Sequence, residues 1–324
     1  MKALAVFSGG LDSMLAVELI KAQGIDVLGL FFETPFFSSA KARKSAKLLC
    51  MQLKVIDITD LHLEVVKNPK HGYGGNMNPC IDCHILMIKE AGARLGEENA
   101  SFIITGEVLG QRPMSQNRKA LRAIAKESGY PALVLRPLSA KLLPMTTPES
   151  KGWVRREELM GLSGRGRKPQ MELAKRFGIK DYPSPAGGCL LTDPVFSRRL
   201  KDLLSSDPHP ERREIELLRV GRHFRLNSTT KLVIGRNKRE NDAILSFSTS
   251  NDLVLKTVSI PGPTALVSGD ASPDAEKLAL DVTASYSDAK VGEIAQIKSS
   301  KQDIEKVFEV KVADKNQFKP LMIQ

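Results

Sequence analysis

No apolar run in the 324 residues approaches the roughly 20 needed to span a bilayer. The N-terminus also lacks the basic start and long apolar core of a secretory signal, since its first apolar run ends at Phe7 in a glycine turn. These absences predict a cytoplasmic protein that engages no membrane. Cysteine is scarce, with four in the chain, and in this setting such cysteines serve catalysis or metal binding rather than structural disulfides. No second Cys-x-x-Cys accompanies Cys80-Ile-Asp-Cys83, which weakens structural zinc. Internal repeats and long low-complexity segments are absent too. What remains is an ordinary globular composition, 42% hydrophobic and 26% charged, long enough for two or three domains.

Charge is not balanced. The net charge is +11, and it is uneven along the chain. Residues 1–210 hold 30 Lys and Arg against 21 Asp and Glu, whereas residues 211–324 hold 18 against 16. The densest basic stretch runs from Arg155-Arg156 through Arg165, Arg167 and Lys168 to Lys175-Arg176. Such an excess points to a polyanion larger than a nucleotide, and it makes Arg155, Arg156, Arg165, Arg167 and Lys168 candidate RNA contacts.

The chain opens with a short apolar strand, then Ser8-Gly9-Gly10-Leu11-Asp12-Ser13, then an amphipathic helix carrying Met14, Leu15, Val17, Leu19 and Ile20. The glycines let the backbone approach a ligand closely. Loop N–H groups and the helix dipole then converge on one point that suits phosphate. Ser8 and Ser13 add hydroxyls. Asp12 would repel a bare phosphate, and it makes sense with Mg²⁺ between the two. A Walker loop would carry a lysine here, and none is present. The hexapeptide resembles the PP-loop of the ATP pyrophosphatases, which release pyrophosphate and adenylate a carbonyl oxygen.

Strands are expected at Leu4–Phe7, Val27–Phe32, Leu53–Asp57, Phe102–Thr105 and Ala132–Leu135, with helices at Ser39–Met51 and Ile85–Leu95 between them. This alternation predicts an α/β domain over 1–145, a parallel sheet with helices on both faces. Ligands on such sheets bind at the carboxyl ends of strands, where Phe32 becomes a candidate adenine contact. Prolines and glycines then break the pattern, and residues 146–208 read as a small basic lobe with short helices near Arg155–Met160 and Pro169–Phe177. A helix near Ser197–Leu204 ends it. Residues 209–324 read as a separate α+β domain. Its expected strands are Leu232–Ile234, Ala243–Phe247, Leu253–Val258, Thr264–Val267, Ile294–Ile297 and Val307–Val312, with a helix at Asp274–Tyr286.

Cys80 and Cys83 sit in a Gly/Asn-rich loop that opens the Ile85 helix, a position that lowers a thiol pKa. The pair reads as a redox couple, half a zinc site, or part of an iron–sulfur site. Cys189 is the other cysteine in a glycine-rich loop, 109 residues on. Cys50 is expected in the apolar core of its helix, and His84 is expected to face solvent or cap. Three cysteines would leave one iron of a [4Fe–4S] cluster without a protein ligand, open to a substrate or a sulfide. The alternative is a persulfide that a second cysteine resolves as a disulfide.

Taken together, these residues resemble the PP-loop tRNA thiouridine synthases over roughly residues 1–195. Cys80-x-x-Cys83 with Met87, Ile103-Ile-Thr-Gly106-Glu107-Val-Leu-Gly110-Gln111, Ser115-Gln116 and Leu135-Arg136-Pro137-Leu138 are similar to the archaeal-type 4-thiouridine synthases. Asn78-Pro79 with Cys83 resembles the 2-thiouridylases of the wobble uridine, with Cys189 as their second cysteine. The loop begins at residue 8, so the N-terminal RNA-binding domain usual in 4-thiouridine synthases is not expected. The segments Val233-Ile-Gly235-Arg236-Asn237, Asn241-Asp242 and Ile260-Pro261-Gly262-Pro263 resemble the NFACT-R RNA-binding domain.

The resemblance implies ATP-dependent thiolation of a tRNA uridine. It implies ATP at Ser8, Gly9, Gly10, Asp12, Ser13, Phe32, Gly106 and Gln111, with Mg²⁺ at Asp12 and catalysis by Asp12, Cys83 and Cys189. It implies a [4Fe–4S] cluster on Cys80, Cys83 and Cys189. A cysteine desulfurase or inorganic sulfide would donate the sulfur. The other readings are an N-type ATP pyrophosphatase acting on a small molecule, a persulfide-based tRNA thiolase without a cluster, and an RNA-binding regulatory protein.

Overall fold

The computed structural model describes residues 1–183, 188–270, 272–302 and 304–324. It divides into two compact units, Met1–Thr192 and Asp193–Gln324.

The first unit is an α/β layer structure. Its strands are β1 (Lys2–Val6), β2 (Asp26–Glu33), β3 (Leu53–Asp57), β4 (Phe102–Thr105) and β5 (Val134–Leu135). Its helices are α1 (Leu11–Lys21), α2 (Ala40–Leu48), α3 (Thr59–Lys67), α4 (Cys80–Ala93), α5 (Arg118–Glu127), α6 (Thr147–Ser150) and α7 (Lys168–Arg176). The strands pair in parallel in the order β3-β2-β1-β4-β5. Apolar side chains cover both faces. Ala3, Ala5, Phe31, Phe102 and Ile104 enter one core, while Leu4, Leu28, Leu30, Phe32 and Ile103 enter the other. Strand order reverses between β1 and β4, and the crevice outside the carboxyl ends of two such strands is where open parallel sheets bind ligands.

All five expected strands are present. Helices α3 and α5 went unexpected. Neither has a long apolar run, although α5 buries Ala120, Leu121, Ile124 and Ala125 at helical spacing. Helix α4 starts at Cys80, five residues before the expected Ile85, so both cysteines lie in its first turn. Cys50 is exposed rather than core, in a left-handed turn (φ 47°) just beyond α2. Residues 146–183 pack with the parallel sheet and its helices. Val154 and Leu159 join the sheet core, Trp153 stacks on Phe102 at 6.4 Å, and Leu173 and Ala174 of α7 pack with Leu11, Leu15 and Leu19 of α1. Only a three-residue turn, Arg156–Glu158, stands where a helix near 155–160 was expected.

The second unit comprises α8 (Pro194–Ser206), α9 (Arg212–Leu217), β6 (Arg222–Arg225), β7 (Lys231–Ile234), α10 (Lys238–Phe247), β8 (Leu253–Thr257), β9 (Thr264–Ser268), α11 (Pro273–Ser285), β10 (Ile294–Lys301) and β11 (Ile304–Lys311). Its sheet is antiparallel, in the order β11-β10-β8-β9-β7-β6. The stretch expected as a strand at 243–247 is the end of α10. Asn237 caps that helix by accepting from the Glu240 N–H, and Ala243, Ile244 and Phe247 fall at helical spacing, with Ile244 buried. Helix α8 belongs to this unit: Arg199 donates to the Leu218 and Gly221 carbonyls, and Arg225 pairs with Asp202.

One charge in this sheet is costly. Lys231 of β7 is 6% exposed. Burial pushes its amine down to about 8, Asp202 opposes this, and Arg225 and Arg199 add to it. The native pKa lies below the unfolded value of 10.5, so the protonated amine destabilises the fold fully below about pH 8. Between 8 and 10.5 the unfolded chain holds a proton the native one lacks, so the penalty fades as pH rises. Lys231→Met is therefore expected to stabilise the protein at pH 7 by on the order of 2 kcal/mol, with the gain shrinking toward pH 10.5. Urea unfolding of both proteins at pH 7 and pH 10 checks this. An equal difference at the two pH values would show that the amine is not penalised.

Candidate active site

The crevice between β1 and β4 is lined by the loops that leave them. The first is Ser8–Ser13. Gly9 has φ 75°, and a Cβ there would sit 2.6 Å from the Ala42 backbone of α2, so this turn requires glycine. The Gly9 carbonyl accepts from Ser45 Oγ at 2.7 Å, which fastens the loop to α2. Gly10 caps α1 without a side chain, leaving the first N–H groups of that helix free of a side-chain cap. Ser13 Oγ donates to the Gly10 carbonyl at 2.8 Å and lies 3.3 Å from Ser8 Oγ. Backbone donors and two hydroxyls thus surround one helix start, the arrangement that binds phosphate.

The second loop follows β4. A Cβ on Gly106 would lie 2.5 Å from the Ser13 nitrogen, so only glycine lets the two loops pack this closely. Gln111 Nε2 donates to Asp12 Oδ2 at 2.9 Å. Asp12 Oδ1 and Gln111 Oε1 are buried and have no hydrogen-bond partner among the described residues. Two unpaired oxygen acceptors on the phosphate side of a loop are hard ligands, and they fit Mg²⁺. Phe32, in contrast, is 2% exposed and lies within the core, so an adenine would reach only its backbone.

Glu107 is the junction of the site. Its Oε2 accepts from Arg136 Nε at 2.8 Å and Thr105 Oγ1 at 3.0 Å, and its Oε1 lies 2.7 Å from His84 Nδ1. Burial pushes this carboxyl up, but the Arg136 guanidinium and the His84 hydrogen bond outweigh it and bring the group down to about 2. Glu107 therefore stays ionised and holds His84 in place. The sequence displayed Glu107, Arg136 and His84 separately, and nothing in their spacing announced the triad.

The three cysteines expected to act together are neighbours. Cys80 and Cys83 lie on the first turn of α4, where Asn78 Nδ2 donates to Cys80 Sγ at 3.2 Å. The Cys189 segment is anchored beside them. Leu190 N–H donates to the Phe36 carbonyl at 3.1 Å, and Asn76 Nδ2 donates to the Thr192 carbonyl at 2.8 Å. Expected loop residues Pro185 and Gly187 lie outside the described residues. Burial pushes the Cys83 thiol well up, and Cys189, Cys80 and Asp82 push the same way. Burial also raises Cys189 to about 11, against the Leu191 N–H and Arg112. Desolvation thus overrides the lowered pKa expected of a thiol at a helix start. Among the described residues, no cluster of His, Cys, Asp and Glu is arranged to hold a single metal ion. An iron–sulfur cluster is larger than a single ion and is held chiefly by thiolates, and the free thiols of Cys80, Cys83 and Cys189 fit its donor chemistry.

A fourth group went unnoticed in the sequence. His62 of α3 is wholly buried, its ring packed against Phe36 and Phe37, with Nε2 3.2 Å from Cys83 Sγ.

The five expected RNA contacts divide. Arg156 is engaged inside the fold, by Glu149 and by the Ala140 and Leu143 carbonyls at 2.7 and 3.0 Å. Arg155 pairs with Glu158 at 2.6 Å. Arg165 and Lys168 are exposed and Arg167 half-buried. Their segment runs beside the second loop: Ser163 bridges Leu109, and Gly164 N–H donates to the Leu109 carbonyl at 2.8 Å. These charges are remote from the phosphate loop in sequence yet border its crevice.

The first unit sets a glycine loop between a strand and a helix at the carboxyl edge of a parallel sheet, an arrangement that suits phosphate. Residues 1–141 match the family described as thiamine biosynthesis protein (ThiI), and residues 221–322 match the NFACT protein RNA binding domain. The chain is 29% identical over 147 residues to a probable tRNA sulfurtransferase of Caldanaerobacter subterraneus subsp. tengcongensis, covering 42% of this chain and 36% of that one. It is 31% identical over 122 residues to a probable tRNA sulfurtransferase of Thermoanaerobacter sp. strain X514, covering 34% and 30%. The chain therefore spans about a third of the length of these relatives. A solved 4-thiouridine synthetase–RNA complex with bound ATP aligns at 24% identity and a TM-score of 0.40, over 60% of this chain and 46% of that one. Residues 1–141 are thus similar to the ThiI family and residues 221–322 to the NFACT RNA binding domain.

Proposed function

We propose that this protein is an ATP-dependent tRNA sulfurtransferase that replaces a uridine carbonyl oxygen with sulfur. One observation carries the reading: the phosphate loop and the cysteines meet on the same two residues. Gly106 packs on Ser13, and Glu107 bonds His84, the residue after Cys83.

ATP phosphates lie on the N–H groups of the α1 start, with Ser8 and Ser13 as hydroxyl donors. Asp12 Oδ1 and Gln111 Oε1 would hold Mg²⁺, which would neutralise charge on the departing pyrophosphate. The uracil oxygen attacks the α-phosphorus, pyrophosphate leaves, and sulfur then displaces AMP at the ring carbon. Cys80, Cys83 and Cys189 would hold a [4Fe–4S] cluster whose fourth iron offers the sulfur a binding position. Sulfide supplies that sulfur directly, whereas persulfide sulfur from a cysteine desulfurase also needs a thiol reductant, which leaves as a disulfide. The target base must be splayed out to reach the crevice, at a cost of a few kcal/mol. Arg165, Arg167 and Lys168 would hold the RNA backbone beside it, and the 193–324 unit would help position the tRNA.

The test is anaerobic purification with iron and sulfide analysis, together with pyrophosphate release and thiouridine formation assayed with and without tRNA. Cluster iron, tRNA-stimulated ATP turnover and new thiouridine are expected. Turnover stimulated by a small molecule but not by tRNA would favour the small-molecule enzyme. Thiolation without iron would favour a persulfide, and tRNA binding without turnover a regulatory protein.

A further inference from the structure

We propose that the exposed face of α5 is a second binding surface for the backbone of the substrate RNA, separate from the 163–168 segment. This rests on the reading of tRNA as substrate.

The helix is sharply two-faced. Ala120, Leu121, Ile124 and Ala125 are buried, while Arg118, Lys119, Arg122 and Lys126 are exposed. Arg118, Arg122 and Lys126 recur every four residues and so form one ridge, about 12 Å long at 1.5 Å per residue. Three cations spaced along such a ridge can each meet a phosphate of one strand. None of the four cations makes an ion pair among the described residues. The lone acid of the helix, Glu127, is taken by Lys70 at 2.8 Å and His71 at 3.2 Å.

This arrangement is unfavourable for the isolated protein. Like charges four apart repel along a helix. Arg118 and Lys119 also occupy the first turn, where the helix dipole disfavours cations and no acid is present to offset them. A polyanion laid along the ridge relieves both costs. The helix packs along α4, which begins at Cys80. At one end Glu127 leads through His71 to Asp82, the neighbour of Cys83. At the other end the preceding loop carries Arg112, whose charge acts on Cys189. A strand following α5 therefore runs past the cysteines. An acidic protein or an anionic membrane would meet the same charges, but neither accounts for a ridge flanking the reaction crevice.

The test compares R118Q/R122Q/K126Q with the wild-type full-length protein. Three lost phosphate contacts are expected to lower the slope of log affinity against log salt for tRNA by about 2 to 3. ATP binding and tRNA-independent pyrophosphate release are expected to stay unchanged, and the melting temperature is expected to hold or rise as repulsion is removed. A charge-keeping R118K/R122K variant is expected to retain the slope. An unchanged slope in the triple variant, with wild-type protein binding tRNA normally, would return α5 to a solvated face and leave the substrate reading intact. Absence of salt-dependent tRNA binding by the wild-type protein would remove the substrate reading itself, and the α5 proposal with it. Loss of binding to phosphatidylserine vesicles in place of tRNA would identify a membrane surface instead.

Discussion

Asp12→Ala is expected to lower ATP-dependent pyrophosphate release by at least about 100-fold, the scale of losing one preorganised charge-stabilising group at a reacting phosphate. The argument is specific to one oxygen. Asp12 Oδ2 is occupied by Gln111, while Oδ1 is buried with no partner among the described residues, and a buried carboxylate oxygen without a donor is costly unless a cation completes it. Asp12→Asn separates charge from shape, since the amide can keep a hydrogen bond to Gln111 but cannot neutralise a divalent cation. Both variants are therefore expected to fold and to bind tRNA, and both are expected to lose turnover and its Mg²⁺ dependence. Pyrophosphate release at the wild-type rate in Asp12→Asn would remove the carboxylate from the chemistry.

Cys83→Ala is expected to abolish thiouridine formation while leaving pyrophosphate release within a few-fold of wild type. The two half-reactions use different loops, which touch through Gly106-Glu107 but share no side chain. Of the three thiols Cys83 has the most committed surroundings, with His62 Nε2 at 3.2 Å and both other cysteines beside it. Its raised pKa means that an unassisted thiol there is a poor nucleophile at neutral pH, since thiolate is the reactive form. A bound cationic cluster would stabilise the thiolate outright. Cys50→Ser is the control, because Cys50 is exposed beyond α2 and has no role in the site. Thiouridine counted by mass spectrometry of digested tRNA, beside pyrophosphate release, resolves the steps. Equal loss of both in Cys83→Ala would indicate collapse of the α4 start rather than loss of sulfur transfer.

The resemblance to PP-loop enzymes was legible because its parts are contiguous. Strand, glycine turn and helix start all lie within Lys2 to Lys21, and the turn's hexapeptide is contiguous. The strand pattern of the first unit was legible for the same reason. Apolar runs of four to eight residues between turns encode a buried parallel strand, whatever lies elsewhere in the chain. Where such a run stood inside a capped segment, as at 243–247, the cap decided and the run became the end of α10.

Other features depend on contacts the sequence does not order. Cys189 joins Cys80 and Cys83 across 109 residues because Leu190 and Thr192 bond Phe36 and Asn76. Glu107, Arg136 and His84 meet because β4 and β5 end, and α4 begins, at the same edge of the sheet. The basic 163–168 segment reaches the crevice through Leu109, and Arg156 is withdrawn from it by Glu149. The shift of Cys83 runs opposite to that expected of a helix start, because burial of its sulfur outweighs the helix dipole. The sequence alone determined which local shapes form and which groups were available for chemistry. The tertiary structure decided which of them meet and how much water they keep, because side-chain periodicity is local while burial and pairing are set by packing between distant segments.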